Sequence, residues 1–237
     1  MCDFNEEGSL ISDNQFLPTL PKSPGNIYQR YWRWVHKAMY FKTAERNEIF
    51  KILDTVQPRR VLDFGCNAGY EAHRIQEHSG AEVYGYDLNE HALDWGRAEF
   101  PSLHFLDRLQ YPKFDGKFDL VVMSHVLEHI PDPEQTIAET IAKLNDGGHL
   151  LIVLPQERIR GDCNFDHVIF HSLKNRRYVN PHLHIIRHQR IKNAVASHGM
   201  VIKDLTYINW FPPLVTSHFR FLAAFSMIAL CGSPDPA

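Results

Sequence analysis

The chain carries no excess of positive charge: 25 Lys and Arg stand against 28 Asp and Glu, for a formal net charge of -3. A protein built to grip phosphate backbones needs a basic surplus, so its absence argues against nucleic acid as the main partner. Cysteine is sparse. Cys2, Cys66, Cys163 and Cys231 are far apart and form no CxxC unit, which excludes a disulfide framework and points to a reducing, cytoplasmic setting. No uninterrupted apolar run approaches the length of a membrane span, on the order of 18 residues. The N-terminus is acidic and polar, without the basic-then-apolar signature of a signal peptide. Internal repeats and low-complexity linkers are also missing.

What is present suits one large α/β domain, or a core with a small cap: 237 residues, 44% hydrophobic and 22% charged. That is ample apolar material for a core. Residues 1–25 are polar and hold three prolines, and read as a flexible arm. Residues 26–57 change character. A dense run of Ile27, Tyr28, Tyr31, Trp32, Trp34, Val35 and Met39 predicts a helical cap packed on the core.

From Arg60 the pattern alternates. Strands are expected at Val61–Phe64, Val83–Tyr86, Leu103–Leu106, Phe118–Met123 and His149–Leu154. Helices are expected at Glu71–His78, Asn89–Phe100 and Asp132–Leu144, the last stopped by a turn at Asn145-Asp146-Gly147-Gly148. Apolar strands alternating with helices imply a parallel sheet covered on both faces. Residues 156–184 lose any period and read as an insertion at the carboxyl end of a strand, where substrate determinants tend to sit. A helix at Ile186–His198 and strands at Val201–Ile208 and Phe221–Leu230 complete a seven-stranded, doubly wound arrangement over residues 58–237.

The most informative segment is Asp63-Phe64-Gly65-Cys66-Asn67-Ala68-Gly69. A buried strand runs into a glycine-containing turn and then a helix. Glycine there allows close backbone approach, and the helix start offers unpaired N–H groups. Asp87 ends the next strand about 20 residues later, where an acid can accept both hydrogen bonds of a ribose diol. The alternative for Asp87 is a helix cap, since Asn89 and Glu90 follow.

This combination resembles the class I S-adenosylmethionine-dependent methyltransferases over roughly residues 45–230. The resemblance implies their Rossmann-like seven-stranded fold with an antiparallel last strand, and S-adenosylmethionine as cofactor. It implies that Asp63 helps hold the amino group of the methionine end and that Asp107 meets the adenine. Asp63, Gly65, Cys66, Asn67, Gly69, Asp87, Leu88, Asp107, Ser124 and His125 are the expected cofactor-site residues. Phe118–Ile130 resembles the family's fourth-strand motif, and Leu144–Leu150 the turn before its fifth strand. Two positions depart from the family: Asn67 stands where Gly or Ser is common, and His125 where an acid is common.

His125-Val126-Leu127-Glu128-His129 also has the HxxEH spacing of an inverted zinc-protease motif, which requires a regular helix and a third ligand. Following a sheet strand, it does not suit that role. Glu128, His129 and His184 further resemble three metal ligands of the small-RNA 2'-O-methyltransferases, with His125 where a first glutamate would stand. The expectation is a metal-free pocket wall.

On the substrate side, His125, His182 and Tyr178 are the candidate catalytic groups. Tyr28, Tyr31, Trp32, His129, Asn180 and His184 are the candidate substrate-binding groups. The expected reaction is methyl transfer to a nitrogen or oxygen of a small molecule, by a monomer or homodimer. The alternatives are cyclisation of the cofactor to azetidine-2-carboxylate under the Tyr28, Tyr31 and Trp32 lid, RNA 2'-O-methylation, and non-catalytic cofactor binding.

Overall fold

The computed structural model describes residues 40–157, 182–209, 215–220 and 224–235. The expected arm at 1–25, the first part of the cap, the bulk of the 156–184 insertion, and Tyr28, Tyr31, Trp32, Tyr178 and Asn180 lie outside the described residues.

The chain enters through α1 (Tyr40–Val56). It then alternates β1 (Arg60–Phe64), α2 (Tyr70–Ser79), β2 (Glu82–Tyr86), α3 (Glu90–Glu99) and β3 (His104–Leu106). β4 (Phe118–Ser124), α4 (Pro133–Ile141) and β5 (Leu144–Pro155) follow, then α5 (His188–Ala196), β6 (Val201–Asn209), β7 (Val215–Ser217) and β8 (Ala224–Gly232). One sheet takes the order β3-β2-β1-β4-β5-β8-β6-β7. The first five pair in parallel, while β8 lies antiparallel between β5 and β6.

Period-two alternation divides the central strands between two cores. Leu62, Phe64, Val121, Met123, Leu150 and Ile152 face one side, where Ile137 of α4 and Ile191 and Val195 of α5 cover them. Val61, Val83, Leu120, Val122, Leu151 and Val153 face the other, beneath Ile75 of α2, Leu93 of α3 and Ile49, Ile52 and Leu53 of α1. Each fully buried aliphatic side chain contributes about 1.5–3 kcal/mol. A one-residue slip would exchange the two faces of a strand.

Two sequence expectations need correction. β5 begins at Leu144, not at His149: Leu144 pairs with Phe118 and His149 with Leu120. The Asn145–Gly148 turn is therefore looped out inside the strand opposite Asp119, whose carboxylate accepts from the Asn145 side chain at 2.7 Å and from the Arg59 and Arg60 N–H groups. The second correction is an eighth strand. β7 extends the edge at β6, pairing Tyr207 with Ser217.

Candidate functional site

Beyond β1 the backbone takes left-handed φ at Gly65 (82°), Asn67 (52°) and Gly69 (81°). Both glycines are also sterically required. A Cβ on Gly65 would lie 2.3 Å from Val126 Cγ2, and one on Gly69 2.7 Å from Phe105 Cζ. Asparagine is among the side chains that tolerate this region, which accounts for Asn67. The Gly65 and Cys66 N–H groups both donate to the Tyr86 carbonyl, at 2.7 and 3.0 Å, tying the loop to the end of β2. The Cys66 side chain is buried in the core. Only its backbone belongs to the loop surface.

Asp87 braces this loop. Its Oδ2 accepts from the Asn67 N–H at 2.7 Å and its Oδ1 from the Asn89 N–H at 2.8 Å. The cap of α3 is Asn89, whose Oδ1 accepts from the Ala92 N–H. Asp87 is thus relieved of the capping role. Burial raises its carboxyl above the ordinary value, and the backbone N–H groups of Asn89, Asn67 and Leu88 oppose that shift. Asp107 closes the turn after β3, accepting from the Leu109 and Gln110 N–H groups at 2.8 and 2.9 Å. Leu88 and Leu109, 54% and 62% exposed, stand at the carboxyl ends of these adjacent strands. They offer apolar surface suited to a flat heterocycle.

Asp63 is only 3% exposed, and its Oδ2 has no hydrogen-bond partner. Burial pushes its carboxyl up to about 8, and Glu71 and Asp87 add to the shift, against one backbone hydrogen bond from Ala72. A buried carboxylate without a counter-charge is costly. An ammonium group would supply that charge, so the residue fits the methionine end of the cofactor.

The turn after Ser124 carries the second half of the site. His125 adopts φ 55°, and its N–H donates to the Val153 carbonyl at 3.0 Å. Its Nε2 lies 3.1 Å from Glu45 Oε1 and its Nδ1 3.5 Å from Glu128 Oε1. Glu45 and Glu128 are 3% and 1% exposed. Burial works to raise the Glu128 carboxyl, yet His125 and His129 outweigh it and the net shift is downward.

His182 is buried, and its Nδ1 lies 2.5 Å from Oε1 of the equally buried Glu157. Its ring meets that of His129 edge to face, with centroids 4.7 Å apart. Glu128, His129 and His182 each bring a ligand-capable atom within 4.8 Å of the others. His184, which in the sequence resembles a third ligand beside Glu128 and His129, bonds the Pro131 carbonyl through Nε2 at 3.1 Å.

Sequence reasoning missed Glu45 and Glu157. Glu45 was detectable in principle, because it falls on the same helical stripe as the buried Ile49, Ile52 and Leu53. Nothing local marks Glu157.

A family model described as a methyltransferase domain matches residues 31–204. Ubiquinone biosynthesis O-methyltransferase from Coxiella burnetii (strain RSA 493 / Nine Mile phase I) is 25% identical over 172 residues, 67% of this chain and 70% of the relative. Magnesium protoporphyrin IX methyltransferase from Synechocystis PCC 6803, solved with SAH, superposes with a TM-score of 0.59 at 16% identity, covering 90% of each chain. An N-methyltransferase from Bradyrhizobium japonicum WM9, also solved with S-adenosyl-L-homocysteine, gives 0.58 at 15% identity, covering 85% of this chain and 92% of that one. At these identities the two structures speak for the fold.

Proposed function

Because the chain belongs to the methyltransferase-domain family, as a class I S-adenosylmethionine-dependent enzyme, we propose that it methylates a nitrogen or oxygen of a small molecule. The observation that carries this reading is the His182–Glu157 pair beside His129 and Glu128.

The cofactor, when bound, supplies a methyl group already activated on a sulfonium. The chain's own residues hold and orient it. Asp63 receives the ammonium, the Gly65–Gly69 loop lets the backbone approach, Asp87 takes the ribose diol, and Leu88 and Asp107 meet the adenine. Transfer then requires alignment, exclusion of water and loss of the acceptor's proton. The carboxylate of Glu157 favours the proton on Nδ1 of His182, which leaves Nε2 as the proton-accepting atom. His125 is less suited to that task, because each of its ring nitrogens faces a carboxylate oxygen. Tyr28, Tyr31, Trp32, Tyr178 and Asn180 complete the proposed acceptor side on sequence grounds. The net charge of -3 favours a small acceptor over a polyanion. The O-methyltransferase among the sequence relatives supports a heteroatom nucleophile. Among the described residues no helix is long and apolar enough to cross a membrane.

The test is incubation of the full chain with methyl-labelled S-adenosylmethionine and fractionated metabolite extract. Label in a low-mass product, with S-adenosylhomocysteine formed in step and turnover lost in H182Q, is the expected result. Methylthioadenosine released from cofactor alone, or label only in RNA, overturns it. A chelator separates two roles for Glu128, His129 and His182. Undiminished turnover leaves them as the acceptor's polar wall, whereas loss restored by a divalent ion makes them ligands.

A further inference from the structure

Glu45 lies 80 residues from His125 in sequence, on a helix that otherwise serves the core. Its burial needs a reason, because a carboxylate removed from water is costly unless paired. Two neighbours provide one. The Ser226 hydroxyl of β8 donates to Glu45 Oε1, and His125 Nε2 lies 3.1 Å from the same oxygen. Three elements therefore meet at one carboxylate: α1, the middle of the sheet at β8, and the turn after β4.

That turn also borders the cofactor loop. Val126, the next residue, fills the space that a Cβ on Gly65 would occupy. His125 itself sits in a left-handed conformation, uncommon for a residue with a side chain. A carboxylate can only accept, so a ring nitrogen placed against one must carry hydrogen. With Glu45 3.1 Å from Nε2, that nitrogen carries the hydrogen and the rotation of the ring is fixed.

We propose that Glu45 is a positioning residue: from α1 it holds the His125 ring, and with it the turn that closes the cofactor loop, in a single orientation. Movement of the N-terminal helix is thereby felt where the cofactor binds. The charged groups facing His125 among the described residues are Glu45 from α1 and Glu128 from its own turn, with His129 beyond Glu128. Ser226, from β8, does not titrate in the working range. Any consequence for turnover rests on the methyl-transfer reading, but the state of the ring and the affinity for S-adenosylhomocysteine do not.

The experiment uses the full chain with ¹⁵N-labelled histidine, as wild type, E45Q and E45D. Ring ¹⁵N shifts report the protonation of His125, calorimetry the affinity for S-adenosylhomocysteine, and thermal melting the integrity of the fold. In the wild type Nε2 of His125 should carry the hydrogen that faces Glu45. In E45Q the ring ¹⁵N shifts should change as the facing carboxylate is lost, with affinity falling about tenfold, as expected when a positioned loop is released. E45D should recover part of both. Ring ¹⁵N shifts in E45Q that match the wild type overturn the proposal, as does unchanged affinity when the ring has changed. Should E45Q fail to fold, S226A removes one hydrogen bond from the same carboxylate. The same two readouts must then move in the same direction for the proposal to stand.

Discussion

Binding of S-adenosylhomocysteine should release a proton from Asp63. The carboxyl titrates at about 8 in the ligand-free protein. At pH 7 the protonated fraction is 1/(1 + 10^(7-8)), or about 0.9. An ammonium group docking on the buried carboxylate requires the charged form, so about 0.9 proton should leave per ligand bound. At pH 9 the same expression gives about 0.1. Calorimetric titration in buffers of different ionisation enthalpy reads this number directly as the slope of observed heat against buffer enthalpy. D63N should bring the slope near zero and cost roughly 1.5–3 kcal/mol of affinity, the usual worth of a charged hydrogen bond. The ligand-free protein carries a second signature. The folded-state value lies above the unfolded one of about 3.9, so the folded chain binds the extra proton between these limits. Stability therefore falls as pH rises from about 4 to about 8, by at most ~1.4 kcal/mol per unit. D63N should flatten this contribution. Binding heats that are independent of buffer at pH 7, or the same slope in D63N, would refute the reasoning.

G65A should lower stability by about 2–5 kcal/mol, combining left-handed strain with overpacking against Val126. V126A in the same chain should restore the overpacking part but not the strain, as read by thermal melting, and no recovery would count against the clash. D87A should weaken S-adenosylhomocysteine binding by about 10- to 100-fold or more, since it removes the brace on Asn67 and Asn89 as well as the acceptor for the ribose. Equal affinity by calorimetry would remove Asp87 from the site. Cys66 should resist alkylation at pH 8 in the native protein and react only on unfolding. Burial, with Asp63 and Asp87 nearby, holds its thiol well above the ordinary value, and rapid native-state labelling found by peptide mapping would contradict this.

Several features were legible in the residues alone because their causes are local. Val61–Phe64 and Phe118–Met123 read as buried strands from apolar runs, and the sheet pairs them. Gly65 and Gly69 announced a tight turn, and the backbone there is left-handed. Asp87 was marked by its place at the end of a strand. Whether it or Asn89 capped the helix was not, because both are capping residue types two positions apart, and only the folded turn sends Asp87 to the Asn67 and Asn89 N–H groups and Asn89 to that of Ala92. The tertiary structure decided the rest. The register of β4 against β5 absorbed Asn145–Gly148 as a bulge within a strand. The path of the chain beyond His182 sent His184 to the Pro131 carbonyl and left His182 beside His129 and Glu157. Docking of α1 brought Glu45 across 80 residues to His125. Periodicity and motif spacing record which side chains are buried along one element. Which buried charges meet depends on how separate elements come together, and that information is carried by the packing of the whole chain.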